Sequence, residues 1–188
     1  KGELVCKNPF PSMPLKFWND KNDLKFKKTY FNRYKNTWHH GDYAERKNTD
    51  GFIIHGRSDT TLNPGGVRLG TAEIYSEVEK FKEIKEALVV GQSWDNDIRI
   101  ILFVVMSKGY SLNDTLLSRI KTQIRTNASP RHVPSKVIVV KDIPRTKSGK
   151  IVELAVKSTI EGNIVKNKEA LANPEVLQQY KNLKQLSY

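Results

Sequence analysis

The sequence has few residues that could form cross-links or hold a metal ion. Cys6 is the only cysteine among 188 residues, which excludes an internal disulfide and favours a reducing compartment. His39 and His40 are adjacent, but side chains of successive residues in an extended chain point to opposite faces. No cysteine or carboxylate stands at metal-ligand spacing from these histidines, so we expect no metal site.

Long hydrophobic runs are also lacking. The longest, Ile100 to Met106, is far too short to cross a bilayer, and we expect no membrane partner. The start, Lys1-Gly2-Glu3-Leu4, has neither an initiator methionine nor a signal-like apolar region. We therefore expect a cut inside a longer protein, and a cytosolic (cytoplasmic) location.

The chain has a large positive charge, with a formal net charge of +12. Basic residues alternate with acidic ones, as in Lys80 to Glu86, which is typical of a solvated helix face. We recognise no RNA-binding aromatic motif, zinc-finger spacing or helix-turn-helix pattern. We therefore expect no nucleic-acid partner, although a basic nucleic-acid-binding module, with steeply salt-dependent binding, remains an alternative.

The first part of the chain has the features of a β-rich tail of a larger domain. Pro9, Pro11 and Pro14 interrupt regular structure, and the aromatic residues that follow show no helical period. Thr49-Asp50-Gly51 predicts a turn, and Phe52 to His55 a strand after it.

From Thr71 onward, helical and strand patterns alternate, which predicts the α+β class: a small sheet with flanking helices. A capping box of Ser111 and Asp114 is expected to open the second helix, and Lys150 the third. The predicted elements are helices over 71–81, 111–126 and 150–160, and strands over 87–90, 98–106 and 137–140.

Three loops place cations beside flexible backbone, which indicates chemistry on a polyphosphate. They are Gly56-Arg57-Ser58-Asp59, Gly65-Gly66-Val67-Arg68 and Pro144-Arg145-Thr146-Lys147-Ser148-Gly149-Lys150. The last is no Walker A loop, because Pro144 replaces the first glycine and Ile151 the Ser/Thr.

These loops and Trp38-His39-His40-Gly41-Asp42 occur in an order that resembles the carboxy-terminal part of the adenylate-forming acyl-CoA synthetase superfamily. Three further segments resemble acetoacetyl-CoA synthetases more than acetyl-CoA synthetases: Asn63 to Tyr75, Asn127 to Pro134 and Asn167 to Pro174. The resemblance implies the end of a large N-terminal adenylation domain over 1–58, a C-terminal lid subdomain over 59–160 and an extension over 161–188.

The resemblance also implies a two-step acid–thiol ligase. ATP and acetoacetate give an acyl-adenylate and pyrophosphate, and coenzyme A then displaces AMP to form the thioester. Mg²⁺ is expected with ATP, without an assigned protein ligand. The partners are these small molecules and the protein's own N-terminal domain, without which we expect the chain to be inactive.

The family's functional residues correspond to several positions here. Lys150 matches the catalytic lysine, whose charge would lie between the carboxylate and the triphosphate. Asp42 matches the aspartate that accepts from the ribose hydroxyls, Arg57 an arginine near the same ribose, and Arg68 one that contacts phosphate. His40 stands where many relatives have threonine.

The remaining positions concern movement and coenzyme A. Asp59 matches the family's hinge, and the resemblance implies that the lid rotates about it between the two half-reactions. Gly65 and Gly66 would let the pantetheine arm lie against bare backbone, and Arg125 would lie near the 3′-phosphate. Gly65 stands where acetyl-CoA synthetases have serine.

Two other interpretations remain beside this ligase and the nucleic-acid module. One is a ligase for another short-chain acid such as acetate, because the acyl pocket is outside this sequence. The other is a non-catalytic interaction module that kept the fold and lost the chemistry; the presence of Asp42, Arg57, Arg68 and Lys150 disfavours it.

Overall fold

The computed structural model describes residues 1–187, which divide into two compact units. The first unit is Lys1–Asp59, and the second begins at Thr60. The division falls next to Asp59, the residue expected to act as a hinge. The roles assigned to residues 1–58, 59–160 and 161–188 stay a prediction.

The first unit is an antiparallel sheet with an aromatic cluster beside it. Its elements are β1 (Gly2–Cys6), α1 (Leu24–Tyr30), β2 (Trp38–Arg46) and β3 (Phe52–Arg57), and β2 is the central strand. Trp38 is buried, and the ring of Tyr30 stacks on it with centroids 3.7 Å apart. The predicted strand at Phe52 is confirmed, whereas β1 and α1 were not predicted.

The second unit is built on a mixed three-stranded sheet in the order β4-β5-β6. Its elements are α2 (Ala72–Val78), β4 (Ile84–Trp94), β5 (Asp97–Met106), α3 (Asp114–Asn127), β6 (Lys136–Val139) and α4 (Glu153–Ile160). The turn between β4 and β5 is Asp95-Asn96, both with positive φ, as a tight hairpin requires. β6 is parallel to β5, and the predicted α+β class is confirmed.

The central strand β5 buries both of its faces. Ile100, Leu102 and Val104 belong to a cluster that includes residues of α2 and α3. The side chains between them point to the opposite face, where Phe103 contacts a cluster that includes α4 and the carboxy-terminal segment. This two-sided burial explains the continuous apolar run in the sequence and confirms that the strand is buried.

Two predicted helix starts were wrong. Asn113, not Ser111, is the N-cap of α3, and its side-chain oxygen accepts a hydrogen bond from the backbone N–H of Leu116. The third helix begins at Glu153 rather than at Lys150. Lys150 instead follows Gly149, whose φ of +84° ends a tight turn.

The segment after residue 160 is folded against the sheet of the second unit. Its short 3₁₀ turns place Tyr180 in a fully buried position, with its ring edge-to-face against Phe103 at 4.9 Å. The Tyr180 hydroxyl donates to the backbone oxygen of Asp142 at 2.9 Å. Burial raises the pKa of this phenol above its usual range.

Within residues 1–187, none of the helices has both the length and the apolar composition needed to span a membrane.

Candidate functional site

The paired ends of β2 and β3 bring two predicted nucleotide-binding residues together. Asp42 and Arg57 lie opposite each other in the ladder, and Arg57 Nη1 donates to Asp42 Oδ1 at 3.2 Å. The other carboxylate oxygen, Oδ2, lies 2.8 Å from His40 Nδ1. The Asp42 side chain is only 17% exposed, so these contacts hold it in one orientation. Each carboxylate oxygen retains a second lone pair for another donor.

Gly41 makes this arrangement possible. Its φ is +87°, and a Cβ atom there would lie 2.8 Å from Arg57 Nη2. The guanidinium group of Arg57 therefore occupies the space that a side chain at this position would fill. A side chain at position 41 would have to adopt this strained φ and push the guanidinium group aside, so the glycine favours the contact between Asp42 and Arg57.

Arg57 also connects this site with the predicted hinge residue. Arg57 Nε lies 3.7 Å from Asp59 Oδ1. The backbone N–H of Ser58, between them, donates to the oxygen of Gly41 at 2.9 Å. The end of the first unit is therefore tied to β2 up to the residue before Asp59.

A closed loop carries three other predicted residues. Leu62 and Leu69 pair through two backbone hydrogen bonds, and Gly65, Gly66 and Arg68 lie between them. Both glycines have positive φ, +57° and +74°, which other residues rarely adopt. Arg68 is held at the base of the loop, where its Nε donates to the hydroxyl of Thr61 at 3.1 Å.

Asp97 fixes the tip of the glycine loop. Its carboxylate oxygens accept from the N–H of Gly65 at 2.9 and 3.0 Å. Hydrogen bonds from the backbone N–H groups of Ile98 and Gly65 lower the pKa of Asp97. The amide of Gly65 is therefore already used, and that of Gly66 donates to the oxygen of Asn63 at 3.3 Å, so a ligand on this loop would meet bare Cα surface.

Sequence reasoning missed Arg131, which lies against the glycine loop. Its Nη1 is 3.4 Å from the position of a Cβ on Gly65. The turn that carries it is anchored by the buried His132, whose Nδ1 lies 2.8 Å from Ser129 Oγ and whose Nε2 lies 2.8 Å from Glu73 Oε2. The only signal was the segment Asn127 to Pro134, which carried the resemblance without a residue role.

Arg125, the predicted contact for the 3′-phosphate, lies on a different element. It is exposed in the last turn of α3. In the described part of the chain it forms no hydrogen bond with the glycine loop. The structure therefore leaves its predicted role untested.

The loop of Lys150 is a small hairpin rather than the first turn of a helix. Arg145 pairs with Ile151 across it, and the N–H of Thr146 donates to the oxygen of Lys150 at 2.8 Å. The hydroxyl of Thr146 in turn accepts from the N–H of Lys150 at 3.1 Å. The backbone of Lys150 is thus held from both of its polar groups.

The side chain of Lys150, in contrast, is available. The residue is exposed, and among residues 1–187 no carboxylate or carbonyl oxygen holds its ammonium group. An exposed cation on an ordered backbone can approach an anionic substrate without first breaking an ion pair.

A protein-bound metal ion has no evident ligand set in the described residues. No group of three or more His, Cys, Asp or Glu side chains could hold one there. His39 Nε2 lies 3.0 Å from Glu3 Oε2, and His40 contacts Asp42. The Mg²⁺ expected with ATP stays a prediction.

The predicted residues fall into two groups according to the unit that carries them. Asp42, Arg57 and Asp59 belong to the first unit, where they are in mutual contact through Arg57. Gly65, Gly66, Arg68, Arg125 and Lys150 belong to the second unit. Their assigned roles stay predictions.

Comparison with known proteins gives consistent matches. Residues 73–150 match the family model of the AMP-binding enzyme C-terminal domain. The chain is 58% identical over 99% of its length to acetoacetyl-coenzyme A synthetase of Rhizobium meliloti (strain 1021). It is 48% identical over 98% of its length to acetoacetyl-CoA synthetase of Xenopus tropicalis. The chain spans only 29% and 28% of the length of these two relatives.

Solved structures agree with the fold. Acetoacetyl-CoA synthetase from Streptomyces lividans superposes with a TM-score of 0.89 at 43% identity, covering 97% of this chain and 28% of that chain. A benzoate CoA ligase from Burkholderia xenovorans LB400 gives a TM-score of 0.67 at 23% identity, covering 83% of this chain and 30% of that one. The second likeness concerns the fold alone.

Proposed function

Because residues 73–150 belong to the AMP-binding enzyme C-terminal domain family, we propose that this chain is the carboxy-terminal part of an ATP-dependent acetoacetate–CoA ligase. Among the structural observations, the exposed ammonium group of Lys150 on an ordered hairpin carries the proposal. Similarity over nearly the whole chain to acetoacetyl-CoA synthetases supports the choice of acid. The enzyme would act in the cytosol on small molecules, with the rest of its own chain as the partner of this part.

In the first half-reaction a carboxylate oxygen of acetoacetate attacks the α-phosphorus of ATP. The new bond is carboxylate oxygen to phosphorus, and the bond to the bridging oxygen of pyrophosphate breaks. Both reactants are anions, so a cation between them lowers the barrier. Lys150 supplies that cation, since its ammonium group has no competing partner among the described residues.

The carboxylate of Asp42 would hold the ribose. A vicinal diol offers two O–H donors, and both Asp42 oxygens retain acceptor capacity beside their contacts to His40 and Arg57.

In the second half-reaction the thiol of coenzyme A attacks the acyl carbon of the adenylate. The thioester forms, AMP leaves, and the thiol proton is lost. The open tip of the glycine loop at Gly65 and Gly66 gives the pantetheine arm a surface without side chains. Arg131 beside it and Arg125 on α3 would provide positive charge for the phosphates of coenzyme A.

The substrate assignment is tested in the intact protein that carries this chain. We expect acetoacetate-dependent exchange of pyrophosphate into ATP, with a kcat/KM for acetoacetate at least about tenfold above that for acetate. A higher kcat/KM for acetate would identify acetate, rather than acetoacetate, as the substrate. Absence of exchange with any short-chain acid would reject the ligase. The isolated chain should form no thioester, and measurable turnover by it would contradict this part of the proposal.

Replacing Gly41 by alanine should weaken ATP binding. The new methyl group would displace the Arg57 guanidinium, and a positive φ costs a non-glycine residue about 1–2 kcal/mol. We expect the KM for ATP in pyrophosphate exchange to rise about tenfold, the loss of roughly one charged hydrogen bond.

The matched control is Gly51→Ala in the turn between β2 and β3. There a Cβ would meet nothing closer than 3.7 Å. An equal rise in KM for both variants would show that the contact between Arg57 and Asp42 is not what ATP binding requires.

A further inference from the structure

The Lys150 hairpin comprises residues 145–151. Residues 171–173 of the carboxy-terminal segment form a brace along its outer side. Thr146 forms an isolated antiparallel bridge with Leu171, which is itself buried in the core. The N–H of Ala172 donates to the oxygen of Arg145 at 2.8 Å. The strand of the hairpin that precedes the turn therefore lies between Ile151 on one side and residues 171–172 on the other.

Asn173 is the centre of this brace. Its side-chain oxygen accepts from the N–H of Arg145 at 2.9 Å. Its side-chain nitrogen donates to Asp142 Oδ2 and to the oxygen of Ile143, both at 3.0 Å. One partly buried amide thus joins the hairpin to the residues that lead into it. The backbone bond to Arg145 is at the base of the turn that carries Lys150.

Arg145 fixes the far side of the same turn. Its Nη1 donates to the oxygen of Gly149 at 2.9 Å, one residue before Lys150. Its Nη2 lies 3.0 Å from Glu86 Oε1 on β4. The two sides of the ion pair are about 30% exposed, so solvent screens it only in part. The planar fork of an arginine can make both contacts at once, which a lysine could not.

Because of these contacts, the hairpin cannot move independently of its surroundings to reposition Lys150. Peptide groups on both strands of the hairpin are bonded, and its outer strand is anchored to the sheet and to the carboxy-terminal segment. Any movement of the Lys150 backbone must therefore carry the brace with it. The conformational entropy of ordering the turn is lost on folding and not during catalysis.

We propose that Asn173 and Arg145 are positioning residues that hold the Lys150 hairpin in the geometry required for adenylate formation. This inference rests on the function proposed above. Neither residue touches a substrate in it; each acts through the backbone of Lys150. A displacement of a reacting group by about 1 Å can cost about 100-fold in rate, so loss of either anchor should reduce the rate and not substrate binding.

The test compares two variants with two matched controls in the intact protein. Asn173→Ala removes the amide, and Arg145→Gln removes the fork. Asn163→Ala alters an asparagine of the same segment whose side-chain nitrogen donates to Glu161 Oε2 at 3.4 Å, away from the hairpin. Arg119→Gln breaks another Arg–Glu contact, to Glu83 at 2.8 Å, that does not involve the hairpin.

We expect Asn173→Ala and Arg145→Gln to lower kcat for pyrophosphate exchange about 10- to 100-fold, with the KM for ATP changed less than about twofold. Thioester formation from preformed acetoacetyl-adenylate should stay within about twofold of wild type. Arg145→Lys should recover only part of the loss, because it keeps the charge beside Glu86 and loses the second contact. Both controls should behave as wild type in both half-reactions.

Equal losses in both half-reactions, or losses matched by the controls, would mean a general structural role and overturn the proposal. Unchanged kinetics of pyrophosphate exchange in Asn173→Ala would also overturn the proposal. A second readout separates this outcome from failure of the proposed function. Backbone amide hydrogen exchange over residues 145–151 should become at least about tenfold faster in Asn173→Ala, because the hairpin amides become less protected.

If the wild-type protein activates no acid, the ligase assignment fails. The amide hydrogen-exchange measurement still tests whether Asn173 stabilises the hairpin. Unchanged protection of the hairpin in Asn173→Ala would overturn the inference in that case as well. Faster amide hydrogen exchange confined to the hairpin would support the stabilising role of Asn173 even if the protein bound a different anionic substrate.

Discussion

Replacing Lys150 by alanine should abolish adenylate formation and leave thioester formation from preformed acetoacetyl-adenylate nearly unchanged. The first step brings two anions together and needs the ammonium group, which no described residue neutralises. The second step adds a thiol and needs no cation at that place. We expect a loss of at least about 100-fold in pyrophosphate exchange, as removal of one charge-stabilising group costs in other enzymes. The thioester step should change less than about threefold in single-turnover measurements.

Lys147→Ala provides the control, since this lysine is exposed in the same turn. It should retain both half-reactions, because only Lys150 stands where the resemblance places the catalytic lysine. Losses of similar size in the two half-reactions of Lys150→Ala would show that the lysine supports the fold or binds a shared group. That outcome would remove the main support for a lysine that serves only one step.

Fixing the backbone at Asp59 should separate the two half-reactions in the intact protein. The chain divides between Asp59 and Thr60, and proline locks φ near −65° and restricts the residue before it. We expect Asp59→Pro to retain one half-reaction within about threefold and to lower the other at least about 100-fold. Rapid-quench measurement of each step, started from purified substrates, checks this.

The control for this variant is Asp59→Ala, which removes the contact of 3.7 Å with Arg57 without fixing φ. If the alanine variant shows the same imbalance, the ion pair and not the backbone rotation is responsible. Full activity of Asp59→Pro in both steps would argue against a hinge at this residue.

The helices and strands of the second unit could be predicted because the spacing of apolar residues that marks them lies within short stretches of sequence. The run from Ile100 to Met106 is apolar on both faces, and β5 is buried on both faces by helices and by the carboxy-terminal segment. The α+β class and the resemblance to adenylate-forming enzymes are both confirmed. The helix and strand limits differ from the predicted ones by a few residues; at α3, for example, Asn113 rather than Ser111 provides the N-cap.

The structure around Lys150 could not be predicted in the same way. A lysine before Ile151 and Leu154 suggests a helical start, but the preceding Gly149 adopts a positive φ and the chain pairs with Arg145 instead. The brace by Asn173 joins residues 28 positions apart in sequence. No local pattern indicates a tertiary contact of that kind.

The candidate site shows the same division. The residue types at Asp42 and Arg57 suit a ribose and its phosphates. The resemblance identified these two residues but did not predict the contact between them. The structure adds that they touch, that Gly41 makes room for the contact, and that Arg57 also approaches Asp59. Arg131 had no signal beyond the resemblance of its segment, because its approach to the glycine loop depends on the turn anchored by His132.

Restoring a positive charge by chemistry at position 150 tests the central claim most directly. In the intact protein with its other cysteines replaced, Cys6 included, Lys150→Cys should be inactive in pyrophosphate exchange. Alkylation with bromoethylamine rebuilds an ammonium group at nearly the length of lysine, whereas iodoacetamide adds a neutral group of similar size. The account predicts that exchange returns only with the ammonium group, and equal recovery with both reagents, or with neither, would contradict it.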